Sequence, residues 1–141
     1  MTFESRNERH TEDFADELAL MLKEGDIVLL HGELGAGKTL IARRIVKTLH
    51  KDTKITVKSP TYTFLNVYEG NPTIYHFDFY RTENSNDIEV LGLNEYWGRG
   101  ICLVEWPKKF CNSLPGRVID VIIEITGETE RKITANIPEN G

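Results

Sequence analysis

IVLLHGELGAGKTLIARRIVKTL, residues 27–49, changes its hydrophobic period halfway along. The opening IVLLH has no alternation, which suits a strand covered on both faces, as in a parallel α/β sheet. From Ile41 onward, Ile41, Ile45 and Leu49 recur at helical spacing while Arg43, Arg44 and Lys47 face elsewhere. Between them lies GELGAGKT, a match to GxxxxGK[ST] at Gly32, Gly37, Lys38 and Thr39. Strand, tight glycine turn and helix are what a phosphate-binding loop needs, because the turn points backbone N–H groups inward and the helix N-terminus adds positive potential. The spacing predicts that the amides from about Leu34 to Leu40, those of Gly35, Ala36 and Gly37 among them, cradle phosphates. Lys38 then reaches the β and γ oxygens, and the Thr39 hydroxyl ligates Mg²⁺.

The bulk properties narrow the setting. A chain of 141 residues is the size of one domain, and residues 1–141 are read as a single α/β unit. A net charge of -5, from 17 basic and 22 acidic residues, argues against autonomous binding of a polyanion. Cys102 and Cys111 show no CxxC or Cys/His zinc spacing, which reads as a reduced, cytoplasmic chain without a structural metal cage. The polar start MTFESRNERHTEDF disfavours secretion, and no apolar run is long enough to suggest membrane spanning.

Around the loop, residues 11–23 read as an amphipathic helix with Thr11 as cap and a stop at Gly25. YTFLNVYEGNPTIYHFDFYR reads as an antiparallel hairpin turning at Glu69-Gly70-Asn71-Pro72. SNDIEVLGLNEYW suggests short helical turns, started by Ser85 or Asn86 and broken at Gly92. ICLVEW is a second buried strand, with Pro107 opening a turn or a short helix, and RVIDVIIEITGETERKITANI is a final hairpin around Gly127. The expected architecture is a P-loop NTPase-like domain: a central mixed sheet, parallel in its core with antiparallel hairpins, flanked by helices.

Several side chains are candidates for chemistry beside the loop. Glu105 ends ICLVE at the sheet edge where the loop lies, so it is the candidate second metal ligand, the alternative being an ordinary strand-end glutamate. Period two puts His76, Asp78 and Tyr80 on one face of their strand and Phe77, Phe79 and Arg81 on the other. Asp78 could orient a water or bind a metal, or be a solvated hairpin aspartate; His76 reads as a half-buried strand histidine. Ser59 and Thr61, beside Pro60, carry the hydroxyls a nucleotide-sensing loop requires, or those of a plain loop. Trp97 and Trp106 are either partner contacts or core. Arg43, Arg44 and Lys47 could meet a polyanion or an acidic partner, although a solvated helix face explains them.

Taken in order, GELGAGKT, VKSPTYTFLNVYEG, IYHFDFYR, LGLNEYW and ICLVEWP resemble the TsaE family, from about Thr11 to Ile137. The resemblance implies a small ATPase, binding and slowly hydrolysing ATP with Mg²⁺. It also implies support of a TsaD–TsaB pair that threonylcarbamoylates the adenosine beside the anticodon in tRNA, so that tRNA is met indirectly through the complex. Carried over by motif, Lys38 and Thr39 are the Walker A pair, Glu105 the metal-associated glutamate and Asp78 the acid of HFDxYR beside the nucleotide, and these supply the catalytic set Lys38, Asp78 and Glu105. Trp106 follows the glutamate, Ser59, Pro60 and Thr61 form a switch-like loop, and Thr11 corresponds to a residue that approaches the adenine. Leu40 replaces a second threonine and offers its amide to the α-phosphate, while Arg131 is placed within reach of the nucleotide without a motif. Two other classes share the loop: a small-molecule kinase, and a nucleotide-gated adaptor that needs no hydrolysis.

Overall fold

The computed structural model describes residues 1–82, 92–108, 111 and 113–139. In chain order the elements are β1 (Thr2–Ser5), α1 (Glu8–Met21), β2 (Ile27–His31), α2 (Lys38–His50), β3 (Leu65–Tyr68), β4 (Ile74–Asp78), a short 3-10 helix (Leu93–Tyr96), β5 (Ile101–Glu105), β6 (Val118–Ile125) and β7 (Arg131–Asn136). The strands form one sheet in the order β1-β7-β6-β2-β5-β4-β3. Its inner four strands, β6, β2, β5 and β4, run parallel. The hairpins β3–β4 and β6–β7 are antiparallel, as is the edge strand β1 on β7. This is the mixed sheet expected of the sequence, with β2, β5 and both hairpins where the patterning put them.

Alternate residues of the inner strands enter two separate cores. Val28 and Leu30 of β2 and Ile101 and Leu103 of β5 join Phe14 and Leu18 of α1 and Ile41 and Ile45 of α2 on one face. Ile27 and Leu29, Cys102 and Val104, and Phe77 face the other way, where Phe79, Leu93, Trp97 and Cys111 cover them. Trp97 stacks on Phe77 at 4.5 Å between ring centroids, so it is a core residue. Burial on both faces is the reason β2 and β5 read as unbroken apolar runs.

The helices are tied to each other by charge. Arg44 of α2 donates from Nε and Nη2 to the two Asp16 oxygens of α1, at 2.8 and 3.0 Å, and the Thr48 hydroxyl adds a bond of 2.6 Å. Glu12 lies 3.6 Å from the same guanidinium. Arg44 is therefore engaged within the fold and is not part of a free solvated face. Its hydrogen bond to Asp16 is the main cause of the carboxyl's lowered pKa.

Three expectations need correcting. Helix α1 starts at Glu8, not Thr11, and its cap is Asn7, whose side chain accepts the His10 N–H at 2.9 Å. The first turn is wholly polar, so apolar periodicity begins a turn too late, while Asn is among the best capping residues. Thr11 is buried inside the helix and hydrogen-bonds the Ser5 hydroxyl at 2.7 Å. The helix also stops at Met21, short of residue 23. The edge strand β1 has only four residues, with Phe3 its one apolar side chain, too short a pattern to reveal it. The expected helix start at Ser85 or Asn86 lies outside the described residues. Among those residues, no helix is long and apolar enough to cross a membrane.

Candidate functional site

The loop expected to hold phosphate lies between the C-terminal end of β2 and the N-terminus of α2. Gly37 caps α2 with φ 118°, a backbone state costly for a side chain. Gly32 is required by closeness, since a Cβ there would stand 2.9 Å from the Ala36 Cβ and 3.1 Å from the Ile123 carbonyl oxygen. The loop is thus packed against β6 on one side and left open on the other.

Strand register assembles the carboxylates. Asp78 of β4 pairs with Glu105 of β5, and Glu105 with Leu30 of β2, two residues before the loop. Both acids are almost fully buried, at 1% and 2% exposure. Asp78 is therefore not a solvated hairpin aspartate, and Glu105 is more than a strand-end residue. The Thr39 hydroxyl donates to Glu105 Oε1 at 2.7 Å, and His76 Nε2 lies 2.6 Å from Oε2. His76, with no exposed surface, is a fully buried partner of Glu105 and not half-buried. Asp78 Oδ2 accepts from the Ser59 and Thr61 hydroxyls at 3.1 and 2.9 Å, and Oδ1 from the Tyr80 N–H at 2.8 Å. The segment of Ser59 and Thr61 is thereby latched to the strand end.

Lys38 sits between these groups and the loop. Its ammonium donates to the Gly32 and Glu33 carbonyl oxygens, the latter at 2.9 Å, and lies 3.7 Å from the centre of the Trp106 ring. Burial lowers the Lys38 pKa, opposed by the charges of Glu105 and Asp78. Trp106 has φ 55°, unusual for a bulky residue, and this turns its ring over the lysine and toward Tyr80, 4.9 Å away between centroids. Trp106 thus belongs to the site, whereas Trp97 does not.

Two clefts meet at the loop. One is lined by Lys38, Thr39, Ser59, Thr61, Asp78, Glu105 and Trp106. The other is lined by Asn7, Thr11, Ala36, Leu40, Thr129 and Arg131, and Gly35, Gly37 and Leu40 border both. Thr39 and Glu105 offer oxygens only, the donor set a hard cation prefers, and few enough that phosphate and water would complete an octahedron. The residues present therefore fit Mg²⁺. Sequence reasoning undervalued His76, although period two already placed it on the face of Asp78. Arg131, expected within reach of the nucleotide, lines the second cleft and there donates to the Gly35 and Ala36 carbonyls of the loop. No local pattern could show that contact, which joins residues 95 positions apart.

Residues 5–133 match the protein-family model described as TsaE, threonylcarbamoyl adenosine biosynthesis protein TsaE. Among curated relatives, a protein of Bacillus subtilis (strain 168) is 40% identical over 130 residues, 91% of this chain and 80% of that one. One of Treponema pallidum (strain Nichols) is 34% identical over 131 residues, 92% of this chain and 96% of that one. Both are named tRNA threonylcarbamoyladenosine biosynthesis protein TsaE. The solved structure of Bacillus subtilis YdiB superposes with a TM-score of 0.77 at 32% identity, covering 98% of this chain and 86% of that one.

Proposed function

The chain belongs to the TsaE family, and from that premise we propose that it is an ATPase of tRNA threonylcarbamoyladenosine biosynthesis, binding ATP with Mg²⁺ and hydrolysing it slowly alone and faster with TsaD and TsaB. The role in that biosynthesis and the P-loop NTPase-like character follow from family membership. The observation that carries the ATPase reading is the register that sets Asp78 beside Glu105 and Glu105 against Thr39 at the mouth of the phosphate loop.

In this reading the amides of Gly35 to Leu40 receive the phosphates and the Leu40 amide serves the α-phosphate. Lys38 exchanges its two loop carbonyls for the β and γ oxygens, a favourable trade because a phosphate offers charge where the carbonyls offer dipoles. Mg²⁺ held by Thr39 and Glu105 would neutralise charge developing on the transferred phosphoryl group. His76 holds Glu105 in place through its second oxygen. Asp78, fixed by three donors, is the group positioned to orient the attacking water, and Ser59 and Thr61 would report on the nucleotide through that same carboxylate. Thr11 lines the second cleft, where the adenosine part would lie, and Trp106 sits at the mouth of the first as a contact for a partner. Substrate tRNA is met through the TsaD–TsaB pair.

The test is steady-state ATP hydrolysis by the purified chain, alone and with TsaB and TsaD, with Lys38→Ala as control. We expect turnover that rises on adding partners and vanishes in the variant. Stimulated turnover unchanged in Lys38→Ala would overturn the assignment of this loop. Tight ATP binding with no turnover under any condition would favour the nucleotide-gated adaptor.

A further inference from the structure

Arg131, the first residue of β7, spends its guanidinium on backbone carbonyls from two places in the fold. Nε donates to Ala36 at 3.0 Å and Nη2 to Gly35 at 3.1 Å, both in the phosphate loop. Nη1 donates to Gly127 at 3.0 Å and Glu130 at 2.7 Å, in the turn between β6 and β7. A planar fork is thus anchored on a turn of the sheet and closed on the loop where the loop borders the second cleft.

The loop needs such an anchor because of its own glycines. Gly35 has φ 81° and Gly37 φ 118°, and residues with this freedom let the peptides between them turn over at little cost. In a trans peptide the C=O and N–H point in opposite directions. Holding the Ala36 carbonyl against Arg131 therefore turns the Gly37 N–H away from it, and holding the Gly35 carbonyl fixes the Ala36 N–H, which closes the loop's own turn on Glu33 at 3.0 Å. A flipped peptide would present a carbonyl oxygen to a phosphate where a donor is required.

We propose that Arg131 is a positioning residue for the phosphate loop: anchored on the β6–β7 turn, it selects the peptide orientation in which the Ala36 amide closes the loop's turn on Glu33 and the Gly37 amide faces inward. The proposal rests on the nucleotide reading above and adds to it a coupling between the β6–β7 turn and the β-phosphate end of the site. AMP, which has only the α-phosphate, depends least on this part of the loop.

Calorimetric titration with Mg²⁺-ADP and with AMP separates the alternatives, using the wild type, Arg131→Met and Arg131→Lys, each checked by a thermal melt. We expect both variants to bind ADP about tenfold more weakly, the size of a lost hydrogen bond involving a charged group, and AMP within about threefold of the wild type. Lysine keeps the charge but cannot fork between two carbonyls, so it does not rescue. Equal losses for ADP and AMP would overturn the proposal, since Arg131 would then act on the nucleoside or on the fold at large. So would an unchanged ADP affinity, or recovery in Arg131→Lys. Should Arg131→Met fail to fold, the ADP-to-AMP ratio of Arg131→Lys decides alone. A wild type that binds neither nucleotide removes the nucleotide reading, and the brace with it, and is thus distinct from a wild type that binds while its variants match it.

Discussion

The Lys38 ammonium that rests on the loop's own carbonyls also lies against the Trp106 ring. A cation 3.7 Å from an indole centre perturbs the excited state of that ring, and a phosphate drawing the lysine inward would remove it. Adding ATP or ADP is therefore expected to change the tryptophan emission. The change should be retained in Trp97→Phe, because Trp97 is stacked in the opposite core, and lost in Trp106→Phe. A signal that follows Trp97 instead would show that nucleotide reaches the far face of the sheet. At this scale the sequence was informative wherever function lies in consecutive residues: Gly32 to Leu40 could be read directly. It was weaker wherever the partner is distant. The burial of Asp78 and the bond from His76 to Glu105 depend on the pairing of β4 with β5, which no short window contains.

Among the elements, the pairing of α1 with α2 combines shared apolar residues with the Asp16–Arg44–Thr48 cluster. Asp16 is the group through which pH acts on this contact. Its pKa is lowered in the folded chain, chiefly by the hydrogen bond from Arg44, so between its folded and unfolded values the unfolded chain binds more protons. The stabilisation is thus complete above the ordinary carboxylate range and is lost as pH falls through the lowered folded value. Asp16→Asn is expected to lower the unfolding free energy by ~1 kcal/mol at neutral pH, a modest figure because the pair is partly exposed to water. Below the lowered folded value the difference should shrink toward zero, as both chains then lack the charge. Urea unfolding at the two pH values checks this; a difference that persists in acid would assign the effect to packing. Patterning predicted α2 and both hairpins because each contains its own period or turn. It missed β1 and misplaced the start of α1, since a four-residue strand with one apolar side chain and a polar first turn give too short a pattern to detect.

At the scale of the whole molecule, the sheet separates chemistry from a second core, and the cysteines report on the side without chemistry. Cys102 lies on β5 between Ile101 and Leu103, which face the helices, and so points away from them with Val104. Cys111 lies in the same far core, and both thiols are fully buried. Burial pushes Cys102 up to about 12 and Cys111 up to about 11, so hardly any thiolate exists at neutral pH and none is accessible. Alkylation then requires the core to open. If the sheet opens only as a unit, a nucleotide bound on the opposite side slows both reactions by the same factor, about 100-fold at a ligand concentration a hundred times its Kd. We expect equal slowing of the two sites, followed by mass spectrometry of peptides carrying Cys102 and Cys111, and rapid reaction of both in denaturant. Slowing of Cys102 alone would mean that the cover over the far core opens independently of the sheet. The β4 and β5 strands that carry Asp78 and Glu105 also carry Phe77 and Cys102 on their reverse face, which is why the two sides should move together.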